Sequence, residues 1–222
     1  MTDGVIIVAG GTGERTGEKI PKQFINLGGY PVLWHTISAF YRYQKNLSLI
    51  LVLHPSWISY WFDLSNKFPH MIPCTIVEGG STRADSVYNG LKEASAFDFV
   101  AVHDAARPFL REPFLKRVFK EAHEKGNAIP VLPVSESVRK ITRQSNKTVD
   151  RNTLYFVQTP QVFRTNELKK AFNHPDYSSF TDEASLMEQS GIRIHPVDGD
   201  PLNIKITYPE DLKMAECLLK SL

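Results

Sequence analysis

The chain has 222 residues, enough for one sizeable α/β core or at most two small ones. Hydrophobic residues make up 42% and charged residues 23%, ordinary globular proportions that exclude a disordered, collagenous or coiled-coil chain. The 26 Lys+Arg against 24 Asp+Glu leave a formal charge of +2, too balanced for the long phosphate-tracking groove of a nucleic-acid binder, though local anion sites stay open.

Met1-Thr2-Asp3 runs straight into Val5-Ile6-Ile7-Val8-Ala9 without a basic flank, so the expected mature start is Met1. Strands are expected at 4–9, 47–53, 75–77, 99–103, 128–132, 155–159 and 192–197, with amphipathic helices between them. Pro31, Pro55, Pro113 and Pro209 stand where first helical turns begin, a position that suits proline's fixed φ and missing N–H. Regular alternation predicts a mostly parallel sheet covered by helices on both faces, with its ligand site beyond the carboxyl ends of the strands. Segment 138–150 breaks the rhythm: it is polar, alternates weakly and has a turn-like Ser145-Asn146-Lys147. It reads as a protruding hairpin, with a second copy of the chain as the simplest support and a solvated loop as the alternative. No apolar run approaches the roughly 20 residues of a membrane span. Cys74 and Cys217 lie far apart with no metal-ligand spacing, which fits a reducing cytoplasm.

The glycine-rich turn after the first strand, 9–23, brings Gly10, Gly11, Gly13 and Gly17 together with Arg15, Lys19 and Lys22. Exposed backbone N–H groups beside cations read as a polyphosphate cradle. It is not a P-loop, because Glu18 follows the last glycine, nor a dinucleotide fingerprint, because Thr16 replaces the third glycine. A second turn carries Gly79, Gly80, Ser81 and Thr82, either hydroxyl being a candidate helix cap. Arg83 follows where a cation opposes the helix dipole, which calls for an anionic ligand or a nearby carboxylate; Asp85 is dipole-favoured.

The buried strand at 99–103 ends in Asp104-Ala105-Ala106-Arg107. An aspartate there suits Mg²⁺, which binds one carboxylate beside substrate phosphates and waters; an Asp104–Arg107 ion pair is the alternative, and His103 reads as structural. Further on, Thr159-Pro160-Gln161 stands out, Thr181 reads as a helix cap, and Lys205 interrupts an apolar strand pattern.

In order, AGGTGERTG with PKQF, GGSTRADSV, VHDAARP, VDRNTLYFVQTPQVF, TDEAS and NIKIT with PEDL resemble the 2-C-methyl-D-erythritol 4-phosphate cytidylyltransferase family from about Gly4 to Leu219. The resemblance implies a single nucleotidyltransferase domain over 1–222, a three-layer Rossmann-like sheet of the nucleotide-diphospho-sugar transferase type, and a dimerisation arm at 138–150. It implies that CTP and 2-C-methyl-D-erythritol 4-phosphate give 4-diphosphocytidyl-2-C-methyl-D-erythritol and pyrophosphate on the non-mevalonate route to isoprenoids. By the same resemblance Arg15, Lys22 and Lys205 are catalytic, while Ala9, Gly10, Gly11, Gly13, Gly80, Ser81 and Ser86 hold the nucleotide. Ala105, Arg107, Thr159 and Thr181 hold the sugar phosphate with Arg151 from the other subunit of a cytoplasmic homodimer, and Asp104 stands near Mg²⁺. Ser81 departs from members that carry Asp there. Ribitol 5-phosphate cytidylyltransferases are the alternative, but typically read RN-S and HDSVRP where this chain has Arg83-Ala84-Asp85-Ser86 and His103-Asp104-Ala105-Ala106-Arg107-Pro108.

Overall fold

The computed structural model describes residues 1–11, 20–68 and 72–221. Its first strand, β1 (Asp3–Ala9), is apolar at nearly every position and buried on both sides, the pattern of a central parallel strand. A short ribbon, β2 (Asn26–Leu27) with β3 (Tyr30–Pro31), leads into α1 (Val32–Tyr43). Then follow β4 (Ser48–Leu53), α2 (Ile58–Ser65), β5 (Thr75–Glu78), α3 (Arg83–Glu93), β6 (Phe99–Asp104), α4 (Glu112–Lys125) and β7 (Asn127–Pro133). A separate hairpin, β8 (Val138–Ile141) with β9 (Asn146–Val149), precedes β10 (Tyr155–Val157), β11 (Gln161–Arg164), α5 (Thr165–Ala171), α6 (Glu183–Gln189), β12 (Pro196–Asp198) and α7 (Pro209–Ser221).

The main sheet runs β10-β7-β11-β6-β1-β4-β5, with β12 also on β7. The pairs β6–β1, β1–β4, β4–β5 and β12–β7 are parallel, while β11 is antiparallel to both β6 and β7. Alternate residues of the central strands face opposite layers. Val5, Ile7, Leu49 and Leu51 pack with α1, α2 and α4, whereas Ile6, Ile50, Val52 and Val102 pack with α3, α5 and α6. The expected mostly parallel, double-covered α/β sheet is therefore present. Pro31 is the N-cap of α1, Pro55 opens a 3-10 turn before α2, and Pro113 and Pro209 fall in the first turns of α4 and α7. Gly126 closes α4 at φ 94°, a left-handed position that glycine fills without strain.

Some local expectations are corrected. The strand expected at 155–159 ends at Val157, and a second strand, β11, begins at Gln161 and wedges into the sheet. Of 192–197, only the last two residues join a strand, β12, while Ile192 and Ile194 pack their side chains against the core. The segment at 203–207 is extended but forms no ladder, with Ile206 N–H donating to Ala106 O at 2.9 Å. The 138–150 hairpin exists, but its turn lies at 142–145, where Thr142 N–H donates to Ser145 O at 2.8 Å; Asn146 and Lys147 belong to β9. Among the described residues, no helix is long and apolar enough to cross a membrane.

Candidate active site

The carboxyl ends of β1, β4, β5 and β6 border one cleft of about 510 Å³. On the β1 side Ala9 and Gly11 are held by Gln23, whose amide donates to Ala9 O at 2.8 Å and Gly11 O at 3.1 Å. Gln23 sits in a 3-10 turn, Lys22–Phe24, that begins after Pro21 and is anchored by the buried Phe24 ring against Trp57 and Tyr60. That anchoring puts Lys22 on the cleft wall beside Gly10 and Gly11. Gly13 and Arg15 lie outside the described residues.

The second turn is built around the N-terminus of α3. Thr82 caps the helix, accepting from Asp85 N–H at 3.0 Å while Asp85 accepts from Thr82 N–H at 3.0 Å, a reciprocal capping box. Asp85 also accepts from Ser81 Oγ at 2.6 Å and Tyr177 OH at 2.7 Å, and these hydrogen bonds, Ser81's foremost, lower its pKa to about 2. Gly80 is required here, because a Cβ at that position would lie 2.2 Å from Asp85 Cβ. Ser86 is buried, donating to Thr82 O at 2.9 Å and accepting from Gly80 N–H at 3.1 Å, so it shapes the turn.

Asp104, at the end of β6, forms the floor. Lys205 Nζ lies 2.7 Å from its Oδ2, Arg83 Nε 3.4 Å from Oδ1, and Arg107 Nε 3.8 Å from Oδ2. Burial alone would raise the Asp104 pKa, but Arg83, Lys205 and Arg107 outweigh it and hold the carboxyl well below its usual range. Arg83 thus has the nearby carboxylate that its position calls for, and it also forks onto Glu183 at 2.7 and 3.1 Å. Lys205 reaches the cleft because its segment alternates: Ile204 and Ile206 pack beside Leu27 and Ala215 of the α7 cluster, and the lysine between them faces the other way.

Beneath Asp104, His103 is fully buried, and burial drives its pKa down to about 3, leaving it neutral. Its Nε2 is 3.1 Å from Arg107 O, which only accepts, so Nε2 carries the proton and Nδ1 accepts from Thr159 Oγ1 at 3.0 Å. Thr159 Oγ1 in turn accepts from Asp104 N–H at 3.1 Å. His103 is structural, as expected, with both ring nitrogens engaged.

Ten expected residues thus meet on one cleft: Ala9, Gly10, Gly11, Lys22, Gly80, Ser81, Ser86, Asp104, Ala105 and Lys205. Arg107 and Thr159 lie behind its wall, Arg107 donating to Asn203 O at 2.8 Å. Thr181 is exposed and does not cap α6; Asp182 does, accepting from Ser185 N–H at 3.1 Å, because it has the extended backbone and the stronger acceptor. Arg151 is exposed beyond the arm and donates to Ser135 O of its own chain. Gln23, Glu183 and Gln161, which donates to Asp182 at 2.8 Å and accepts from Ala184 N–H at 3.1 Å, were not singled out for a role by the sequence. Only Gln161, between Pro160 and Val162, stands between apolar neighbours; Gln23 follows Lys22 and Glu183 follows Asp182, so their local sequence reads as surface.

Among the described residues no three His, Cys, Asp or Glu side chains group to hold a metal ion. The donor set at Asp104 fits Mg²⁺ in one way, as a single carboxylate beside phosphates supplied by a substrate.

A glycine turn and converging cations at the carboxyl edge of a double-covered sheet define a phosphate-handling transferase of the nucleotidyltransferase class. A family model described as IspD, 2-C-methyl-D-erythritol 4-phosphate cytidylyltransferase, matches residues 4–221. The 2-C-methyl-D-erythritol 4-phosphate cytidylyltransferase of Phocaeicola vulgatus is 44% identical over 219 residues, 99% of this chain and 100% of that protein. That of Geobacillus kaustophilus is 36% identical over 219 residues, 97% of this chain and 96% of its own. The crystal structure of the Thermus thermophilus protein of the same name superposes with a TM-score of 0.81 at 32% identity, covering 99% of this chain and 100% of that one. The chain belongs to the 2-C-methyl-D-erythritol 4-phosphate cytidylyltransferase family. It is a nucleotidyltransferase that couples CTP with 2-C-methyl-D-erythritol 4-phosphate in isoprenoid precursor biosynthesis, and the ribitol 5-phosphate alternative is not favoured.

Proposed function

We propose that the cleft performs the cytidylyl transfer by charge neutralisation and positioning, with no general base. A phosphate oxygen of 2-C-methyl-D-erythritol 4-phosphate attacks the α-phosphorus of CTP in line; the α–β bridging P–O bond breaks and pyrophosphate carries away the electron pair. A phosphomonoester is already ionised near neutral pH, so the nucleophile needs no proton removed. The obstacle is repulsion between two polyanions. The observation that carries this reading is the convergence of Lys205, Arg83 and Arg107 on Asp104 in the cleft that Lys22 also lines.

In this reading the Ala9, Gly10, Gly11 and Gly13 backbone wraps the triphosphate, while Lys22 and Arg15 balance charge growing on the non-bridging oxygens of the α-phosphate. Gly80, Ser81 and Ser86 form the wall for cytosine and ribose. Lys205 leaves Asp104 for the sugar phosphate, which Ala105, Arg107, Thr159 and Thr181 surround. Asp104 would hold Mg²⁺ together with the substrate's phosphates, where the ion would supply neutralising charge for the leaving pyrophosphate.

The complete site belongs to a cytoplasmic homodimer in this reading, with 138–150 as the dimerisation arm that carries Arg151 to the partner's sugar phosphate. Two features support the arm's role: among the described residues the hairpin pairs with no strand of the main sheet, and Ile141, Tyr155 and Phe156 are 71%, 54% and 60% exposed. Pyrophosphate release from CTP, measured with 2-C-methyl-D-erythritol 4-phosphate and with ribitol 5-phosphate, tests the reading. Turnover with the former alone is expected; equal turnover with both would overturn the substrate assignment.

A further inference from the structure

Glu183 has no role in the mechanism above, yet it is 2% exposed, and a carboxylate is rarely buried without a purpose-built partner. It opens α6, and both its oxygens fork onto the guanidinium of Arg83, which opens α3. The third edge of that guanidinium, Nε, faces Asp104 Oδ1, while Asp104 Oδ2 holds Lys205. Glu183, Arg83, Asp104 and Lys205 therefore form one line of alternating charge. It runs from the N-terminus of α6 across the cleft floor to the cation that receives the sugar phosphate in the reading above, on which this inference rests.

Holding two helices together does not call for ions, since an apolar pair of similar volume does so equally well. The arrangement has a different consequence. Asp104 and an incoming phosphate compete for Lys205, and Lys205 can leave only if Asp104 keeps another cation. Arg83 at 3.4 Å and Arg107 at 3.8 Å are the cations that remain, but a guanidinium is also a good phosphate ligand, and Arg83 would be drawn into the cleft if nothing held it.

We propose that Glu183 is a positioning residue for the transfer: it clamps Arg83 against Asp104, so that Lys205 is released to the sugar phosphate while Arg83 stays off it. Without the clamp, Arg83 grips the sugar phosphate in the ground state, which tightens binding and slows the chemical step.

Steady-state kinetics of the full-length enzyme with both substrates provide the test. For Glu183→Gln, the KM for 2-C-methyl-D-erythritol 4-phosphate is expected to fall about threefold or more and kcat about tenfold or more, with the CTP KM within about twofold of the parent. Glu183→Asp keeps the charge and is expected to return the sugar-phosphate KM to within about twofold of the parent. Arg83→Lys, whose single ammonium cannot serve both carboxylates, is expected to shift the sugar-phosphate KM and not that for CTP. The proposal is overturned if both KM values stay unchanged while kcat falls only with the folded fraction, if the CTP KM moves instead, or if neither Glu183→Gln nor Arg83→Lys folds. A parent enzyme that releases no pyrophosphate with this sugar phosphate would instead sink the underlying assignment.

Discussion

At the scale of single residues, two basic side chains stand in opposite surroundings, Lys22 on the cleft wall and His103 in the core. Lys22 stands on the cleft wall, where a point charge can follow a phosphate through the reaction. Lys22→Ala is expected to lower kcat about 10²–10³-fold, ~3–4 kcal/mol, the loss typical of one preorganised transition-state donor. A loss below about fivefold in stopped-flow or steady-state turnover would remove Lys22 from the mechanism. His103 is neutral and buried, so its proton affinity matters to folding. Its native pKa of about 3 lies below the ordinary 6.5, so between those values the unfolded chain binds a proton that the native chain refuses. Stability is therefore full above pH 6.5 and declines as pH falls toward 3, by up to roughly 1.4 kcal/mol per pH unit for each such histidine. His35, whose pKa burial also lowers, acts in the same direction. Urea titrations from pH 7 to pH 5 check this: a flat stability in that window would contradict a neutral buried His103.

At the scale of elements, the strands β1, β4 and β6 were legible because continuous apolar runs have few other meanings. β11 was not legible. Its Gln161 reads as a polar motif residue, and only the fold shows that the same glutamine is both the first residue of a wedged strand and the clamp on α6. The segment around Lys205 misleads in the opposite direction: Ile204 and Ile206 alternate like a strand, but they fill the α7 cluster without a ladder. Thr181 looked like a cap by residue type, and a neighbouring aspartate with better geometry took that place. The cleft's composition was thus readable from the sequence, whereas the Arg83–Glu183 fork, spanning 100 residues, was not. The hairpin at 138–150 is the element proposed to act outside its own chain. Arg151→Ala is expected to raise the KM for the sugar phosphate about tenfold or more, with the CTP KM within about twofold. A shift confined to CTP would contradict the arm's assignment.

At the scale of the whole molecule, the sheet ends at β10, an edge whose Tyr155, Phe156 and Val157 stay exposed, and among the described residues the β8–β9 hairpin pairs with no strand of that sheet. An apolar edge of this kind is a template for association, and the proposed homodimer would cover it with a second copy. Phe156→Glu is expected to convert a dimer to a monomer in sedimentation velocity and to cut turnover; a variant that remains dimeric would place the interface elsewhere. The central claim is that the cations around the glycine turn and Asp104 gather two anions that repel each other. A crystal structure with CTP and the sugar phosphate tests it most directly. The account predicts the α-phosphate within hydrogen-bonding distance of Lys22 and the sugar phosphate on a Lys205 that has left Asp104. A triphosphate bound away from the glycine turn, with Lys205 still on Asp104, would contradict it.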